Sequence, residues 1–237
     1  MLYYVCLALC LGFSFQVEIK EIILLNMEKI YFLSGLGSKI ETTIEFNLEL
    51  NKYGYEIKYI DIPGQYSNID VNIKNEKEFL DWIKSVIPKN SLVMGYSLGA
   101  DLLLKFSRFL YAKKIIILDG GIFEDDYMKT TLEEEKEYSR NYILENSLNM
   151  DINIISSLFD IRYDDYKDIF SLGLKDEILL LLSDLPKDAY EYKNKKVEKY
   201  KKTGSKNIKV YFIENTTHNF YTEKPKEIAT KISEFLK

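Results

Sequence analysis

Cysteine and histidine are scarce in this chain of 237 residues, and their scarcity excludes several kinds of site. The two cysteines, Cys6 and Cys10, lie close together near the amino terminus, so the rest of the chain can form neither a disulfide framework nor a cysteine-based zinc site. The one histidine, His218, excludes a cluster of histidines around a metal ion. We therefore expect no metal and no cofactor, and a chain that tolerates a reducing compartment.

Positive charge is outweighed by negative charge, because the formal net charge is −5 at pH 7. That balance argues against a protein that binds nucleic acids or anionic membranes in general. The one markedly basic run, residues 193–202, carries six lysines and is predicted to be the solvated face of a surface helix. We expect a small molecule as the partner and no nucleic acid.

A long hydrophobic run is lacking too. The apolar segment at residues 1–15 is shorter than the roughly 20 residues of a membrane-spanning helix, and it lacks the basic start of a secretory signal, because no lysine or arginine precedes Lys20. Since Met27 stands directly before a predicted strand, our hypothesis is that it is the true start and that residues 1–26 are a translated leader. The alternatives are a signal or anchor and an added strand. We expect a cytoplasmic protein, with membrane contact only if the segment is kept as an anchor.

From Met27 onward, short apolar runs alternate with segments of helical periodicity. This pattern predicts one α/β domain at residues 27–237, with a mostly parallel sheet and helices on both of its faces. The predicted strands are residues 29–34, 56–60, 91–94, 114–118, 178–182 and 209–213. Residues 122–175 break the alternation, and the capping pattern Thr131-x-x-Glu134 starts a helix within them. Because open sheets bind ligands at the carboxyl ends of their strands, this insertion is predicted to be a helical lid.

Residues 95–99 read Gly-Tyr-Ser-Leu-Gly and lie between the third predicted strand and an apolar helix. They match the motif G-x-S-x-G, in which the serine occupies a sharp turn from strand to helix and the two glycines let the turn close. Such a turn would lift the Ser97 hydroxyl out of the sheet at the amino end of a helix, whose dipole favours developing negative charge. The motif and its position predict a nucleophilic serine.

With this motif in place, residues 27–237 resemble the α/β-hydrolase family. Residues 32–38 are similar to the family's His-Gly oxyanion loop, with Ser34 in place of the histidine. Residues 61–67 are similar to its D-x-P-G-x-G-x-S turn, with Tyr66 in place of the second glycine. Several moderate matches in the right order are stronger than any one of them alone.

Two later segments complete the resemblance. Residues 117–120 match the strand end that follows the elbow helix, and residues 215–220 match the loop that carries the family's histidine. The resemblance implies the α/β-hydrolase fold, with Ser97 as the nucleophile and His218 as its base. Imidazole suits this role because its unperturbed pKa is about 6.5, so it can accept a proton near neutral pH.

A carboxylate should orient the imidazole of His218, and three residues are candidates. Asp184 is the first choice, because it follows the predicted strand 178–182 and the family's usual chain order is serine, acid, histidine. Asp188 lies in the same loop and would reach if the strand ended later. Asp119 ends the preceding strand, and some thioesterases of this fold take their acid from there.

The resemblance implies a serine hydrolase that cleaves a carboxylic ester or a thioester through an acyl-enzyme on Ser97. The backbone N–H groups of Leu36 and Leu98 would form the oxyanion hole. The predicted lid offers aromatic and apolar surface to a hydrophobic acyl or alcohol group, through Phe123, Tyr127, Tyr138, Tyr142, Leu158 and Phe159. One alternative is a type II-like thioesterase that acts on carrier-bound acyl groups. The other is a protein of the same fold that binds a ligand without turnover, an idea that Ser34 in the altered loop supports.

Overall fold

The computed structural model describes residues 27–123 and 130–237 of the chain. The expectations for residues 1–26, namely a leader, a signal, an anchor or an added strand, lie outside the described residues, and so does Tyr127. Among the described residues, no helix combines the length and the apolar character that crossing a membrane requires.

Within the described residues, six strands form one sheet: β1 (Glu28–Leu33), β2 (Tyr55–Ile60), β3 (Leu92–Tyr96), β4 (Lys114–Leu118), β5 (Ile178–Ser183) and β6 (Ile208–Ile213). Their order across the sheet is β2-β1-β3-β4-β5-β6, and every neighbouring pair is parallel. The prediction of a mostly parallel sheet is confirmed. Strand β3 lies between β1 and β4, which puts the serine motif at the carboxyl end of a central strand.

The strands differ in composition according to their place in the sheet. In the central strand β4, Ile115 and Ile117 join one cluster of buried side chains, whereas Ile116 joins a second cluster on the opposite face. This alternation explains why the strand is a continuous apolar run, since successive side chains point to opposite faces and both faces are covered. The edge strands β2 and β6 instead expose the charged residues Lys58 and Lys209.

Helices cover both faces of the sheet, as predicted. The α-helices of the described chain are α1 (Ile44–Asn51), α2 (Glu76–Val86), α3 (Leu98–Phe106), α4 (Leu132–Glu145), α5 (Ile152–Tyr163), α6 (Lys187–Lys201), α7 (Phe220–Glu223) and α8 (Pro225–Leu236), with short 3-10 helices at Ile40–Thr43, Tyr66–Asn68 and Ser107–Phe109. Buried side chains of α1, α7 and α8 form the cluster on one face. Those of α2, α3, α5 and α6 belong to the cluster on the other.

The insertion between β4 and β5 contains α4 and α5 in its described part. Helix α4 begins with the predicted capping box: Thr131 Oγ1 accepts a hydrogen bond from Glu134 N at 3.2 Å, and Glu134 Oε2 accepts one from Thr131 N at 2.7 Å. Helix α5 packs on the body of the domain, because Ile155 and Leu158 are buried in the same cluster as the helices of that face. A movement of this insertion as a lid stays a prediction.

Candidate active site

Ser97 occupies a sharp turn between β3 and α3. Its backbone φ is 52° and its ψ is −126°, a conformation that costs a residue with a side chain about 1–3 kcal/mol. The flanking glycines are required by close approach: a Cβ on Gly95 would lie 2.7 Å from Ala100 Cα, and one on Gly99 would lie 2.2 Å from the carbonyl oxygen of Ser34. The turn that the G-x-S-x-G motif predicts is therefore present, with the Ser97 side chain at its apex.

His218 meets Ser97 as the sequence predicts. The histidine lies in the loop between β6 and α7, and its Nε2 is 2.9 Å from Ser97 Oγ, although 121 positions of sequence separate the two residues. The ring stacks on Tyr96, with the two ring centroids 4.9 Å apart. The Tyr96 hydroxyl lies 3.2 Å from the carbonyl oxygen of His218 and 3.0 Å from Asn219 Oδ1, so it can hold the histidine loop.

Asp119, at the carboxyl end of β4, is the carboxylate that contacts the histidine. Its Oδ2 lies 2.8 Å from His218 Nδ1, and its side chain is almost fully buried. Asp119 thus contacts one ring nitrogen of His218 and Ser97 contacts the other, which is the geometry of a serine–histidine–acid triad. The alternative acid named from the sequence is thus the one that the structure brings to the histidine.

The expectation that Asp184 contacts His218 is wrong. The Asp184 carboxylate instead accepts hydrogen bonds from Asn215 N and Thr216 N, both at 2.9 Å, and so fixes the base of the histidine loop. The physical reason is the strand order: β4 is the neighbour of β3, the strand that leads to the serine, whereas β5 is one strand further away. Asp188 is exposed in the first turn of α6, and neither ring nitrogen of His218 is left for it.

A buried cation lies behind the Asp119 carboxylate. Lys193 Nζ is 2.6 Å from Asp119 Oδ1, while Ser183 donates to the same carboxylate from its backbone N–H at 3.1 Å and from its hydroxyl at 2.7 Å. Burial is the strongest influence on the pKa of Asp119 and raises it, but the hydrogen bond from His218 and the charge of Lys193 outweigh burial and lower the pKa below its usual range. Asp119 is therefore a stable anion.

The same contact corrects the interpretation of the basic run. Residues 193–202 lie in α6 and at its end, as predicted, but Lys193 is only 1% exposed and faces the core. The expectation of a solvated face is wrong at this position, since a lysine can turn inward when a buried carboxylate receives its charge.

The residues predicted for the oxyanion hole lie beside Ser97. Leu36 and Leu98 line the same cavity as Ser97, and a Cβ on Gly35 would lie 2.9 Å from Ser97 Cβ, so the loop backbone passes directly against the serine. Their N–H groups are in the right region of the fold. The role itself stays a prediction.

Gln65 holds this loop in place, and the sequence analysis did not single it out. Its side chain is fully buried, its Oε1 accepts from Gly37 N at 2.9 Å, and its Nε2 donates to Ser34 Oγ at 3.0 Å and to Gly35 O at 3.2 Å. Ser34 is thus part of the support of the loop. Gln65 lies within the turn motif at residues 61–67, but the motif itself leaves that position open.

A cavity of about 540 Å³ opens beside Ser97 and His218 and extends under the insertion. Most of its lining is apolar, and the residues concerned include Leu36, Leu98, Phe123, Phe159, Leu185, Pro186 and Ala189. Of the residues predicted to give the lid its aromatic and apolar surface, Phe123, Tyr138 and Phe159 line the cavity. Leu158 is instead buried in the core, and Tyr142 lies against Gly37. A separate cavity of about 650 Å³ between α2, α3 and the segment after α5 touches neither Ser97 nor His218.

A buried charge cluster that lines the cavity beside Ser97 joins three helices. Arg162 of α5 donates from Nε to Asp101 Oδ2 of α3 at 2.6 Å and from Nη1 to Glu135 Oε2 of α4 at 3.0 Å. Asp101 Oδ1 also accepts from Gly121 N at 2.5 Å. The cluster links the insertion to α3, the helix that follows Ser97. Among residues 27–123 and 130–237, no group of three or more histidine, cysteine, aspartate or glutamate side chains could hold a metal ion.

No protein-family model matches the sequence, and no curated protein sequence is significantly similar to it. Solved structures are similar in fold. The monoacylglycerol lipase of Paleococcus ferrophilus has a TM-score of 0.57 at 14% identity, over 88% of this chain and 93% of the lipase. A hydrolase from Oleispira antarctica has a TM-score of 0.61 at 11% identity, over 88% and 91%. The thioesterase domain of the curacin biosynthetic pathway has a TM-score of 0.55 at 18% identity, over 87% and 91%.

Proposed function

We propose that this chain, which has the α/β-hydrolase fold, is a serine hydrolase that cleaves a carboxylic ester or a thioester through an acyl-enzyme on Ser97. The observation that supports this most is the continuous contact from Ser97 Oγ through both nitrogens of His218 to the Asp119 carboxylate. A nucleophile, a base and an orienting acid are thereby in line at the end of a central strand, beside an open cavity.

The geometry suggests how the residues divide the work. Ser97 Oγ attacks the substrate carbonyl carbon while His218 Nε2 takes the hydroxyl proton, and a tetrahedral oxyanion forms. Asp119 keeps the other ring proton on Nδ1 and stabilises the imidazolium ion. The N–H groups of Leu36 and Leu98 would receive the oxyanion. When the intermediate collapses, the leaving alkoxide or thiolate takes the proton from His218.

The second half of the reaction reuses the same groups. A water molecule gives a proton to His218 and attacks the acyl carbon, a second tetrahedral intermediate forms, and its collapse returns the proton to Ser97 Oγ. The products are a carboxylic acid and an alcohol or thiol, and no oxidant, reductant or cofactor enters the balance.

The cavity favours an apolar group on the substrate. Its volume of about 540 Å³ is within the range of sites for small organic ligands, and its lining beside Ser97 is largely aliphatic and aromatic. A hydrophobic acyl or alcohol group would bury its surface against Phe159 and Ala189. The proposed substrate is therefore an uncharged ester with one medium-length apolar chain.

A thioesterase acting on carrier-bound acyl groups is the second candidate. The position of Asp119 after β4 supports it, because some thioesterases of this fold take their acid from that strand end. The carboxylate of Glu134 argues against it, since this side chain is exposed, lines the cavity and would repel the phosphates of an anionic acyl carrier. We therefore place the simple ester first.

An ester panel separates these functions. Purified protein and Ser97→Ala should be compared on p-nitrophenyl esters of increasing chain length and on acyl-CoA thioesters of the same acyl groups. We expect turnover of medium-chain esters that exceeds turnover of the matched thioesters and is lost in Ser97→Ala. Binding of these esters without turnover by the folded protein would instead support a ligand-binding protein of the same fold.

A further inference from the structure

Lys193 is an almost fully buried charged side chain at the candidate site. It projects from α6 into the core, and its Nζ contacts Asp119 Oδ1 at 2.6 Å, Ser183 Oγ at 2.9 Å and Ser183 O at 3.2 Å. An ammonium group has three protons to donate, so these contacts use its full capacity. Phe123 covers the group from the cavity side, with its ring centroid 5.3 Å from Nζ.

Stability alone is a poor reason for such a pair. Removing two charges from water costs several kcal/mol for each ion, and a buried ion pair is often no more stable than apolar side chains of the same volume. The lysine also contacts the carboxylate oxygen that faces away from His218, because His218 takes Oδ2 and Lys193 takes Oδ1. The pair therefore places a fixed positive charge directly behind the acid of the triad.

We propose that Lys193 is a positioning residue of the triad, which fixes the Asp119 carboxylate and thereby holds the His218 ring in line with Ser97. This inference rests on the proposed function. The contacts of Lys193 Nζ with Oδ1 and of the Ser183 hydroxyl with Oδ2 hold the carboxylate in the orientation in which Oδ2 also meets His218 Nδ1. A carboxylate held in this way keeps the ring proton on Nδ1 and leaves Nε2 free to accept the Ser97 proton.

The other charged groups around His218 act from further away or are already paired. From β3, Tyr96 faces the ring, and its burial raises its pKa, so it is neutral. From α7, Glu223 accepts from Thr217 N at 2.9 Å. The carboxylate of Asp184, after β5, accepts two backbone hydrogen bonds from the histidine loop.

Across the cavity, the charged groups of the insertion and of α3 complete the surroundings. Arg162 is paired with Asp101 and Glu135, while Glu134 is exposed and caps α4. Among the described residues, Lys193 is thus the cation that touches Asp119 from the side opposite to His218.

The single histidine makes the inference directly measurable. The Nδ1 proton of His218, which reports the contact with Asp119, can be followed by NMR without overlap, and the measurement needs no turnover. It therefore separates a failure of this inference from a failure of the proposed function. The variants are Lys193→Met, which removes the charge, and Lys193→Gln, which removes the charge but keeps hydrogen-bonding atoms. Lys195→Met is the matched control, because Lys195 is exposed on the same helix.

We expect the Nδ1 proton resonance of His218 to shift or broaden in both Lys193 variants, because the hydrogen bond to Asp119 weakens, and to stay unchanged in Lys195→Met. In the same two variants kcat for an ester should fall while KM stays close to that of the unmodified protein. Lys193→Met should lower kcat less in the Asp119→Asn variant than in the unmodified protein, because the positioning acts through Asp119.

Three results would overturn the inference. The first is a folded Lys193 variant in which the Nδ1 proton resonance of His218 and kcat are those of the unmodified protein. The second is an equal kcat loss from Lys193→Met with and without Asp119→Asn. The third is failure of both single variants to fold while Asp119→Asn with Lys193→Met folds, since the pair would then serve stability alone.

Discussion

The Asp119 carboxylate lies 2.8 Å from His218 Nδ1, although 99 positions of sequence separate the two residues. The contact exists because β4 pairs directly with β3, so that the residue after β4 and the serine after β3 reach the same edge of the sheet. His218 arrives from beyond β6 and bridges them. The pairing of β3 with β4 thus brings the Asp119 carboxylate to the edge of the sheet where Ser97 and His218 meet.

Exchange of the two aspartates for asparagine tests this assignment. Asp119→Asn should lower kcat for an ester substrate by about 10⁴-fold, because the neutral amide no longer fixes the productive tautomer of His218. Asp184→Asn should lower kcat by less than about tenfold, since it weakens only the backbone hydrogen bonds at Asn215 and Thr216. Steady-state kinetics on one ester gives both values, and a larger loss in Asp184→Asn would contradict the assignment.

Tyr96→Phe tests the support of the histidine loop. The variant keeps the ring that stacks on His218 but loses the hydroxyl that reaches the carbonyl oxygen of His218 and Asn219 Oδ1. We expect a stability loss of about 1–2 kcal/mol and a several-fold lower kcat. Tyr53→Phe is the control, because its hydroxyl makes an exposed contact with Thr230, and urea unfolding should show little change. An unchanged kcat in Tyr96→Phe would show that the hydroxyl does not position the histidine.

Ala189→Leu tests where the apolar group of the substrate binds. Ala189 is buried in the wall of the cavity beside Ser97, so a larger side chain should shorten the space available to an acyl chain. We expect the ratio of kcat/KM for a long ester to that for an acetyl ester to fall by about tenfold or more. The acetyl ester is the internal control for damage to the triad. An equal loss on both esters would place the chain elsewhere.

Arg162→Met tests the charge cluster that ties the insertion to α3. Removing the guanidinium leaves Asp101 and Glu135 without their shared cation in a nearly dry site, which should cost about 3–5 kcal/mol of unfolding free energy. Arg108→Met, at an exposed arginine after the same helix α3, should cost much less. Urea denaturation compares them, and equal stability of the two variants would show that the cluster does not hold the insertion.

Much of the fold could be predicted because strands and helices follow from local patterns. Runs such as residues 114–118 and 178–182 are apolar throughout, which is typical of strands buried on both faces. Ser97 and His218 were found because one lies in a spaced motif and the other is the only histidine.

The remaining site residues depend on tertiary contacts that no local pattern records. The family's usual chain order of serine, acid and histidine predicts Asp184 as the acid, and no local pattern shows that Asp119, after β4, is the aspartate that contacts His218. The sequence shows a basic helix but not that Lys193 turns toward the buried carboxylate of Asp119. Gln65 lies in an irregular loop, where no periodicity indicates which side chain is inside.

The most direct test of the central claim is covalent labelling of the nucleophile. The protein should be treated with a fluorophosphonate, and the modified peptide should be sequenced by mass spectrometry. We predict one adduct, on Ser97, which is absent in Ser97→Ala and forms far more slowly when His218 is replaced by alanine. A folded protein that stays unlabelled, or one that carries the adduct on another residue, would contradict the account.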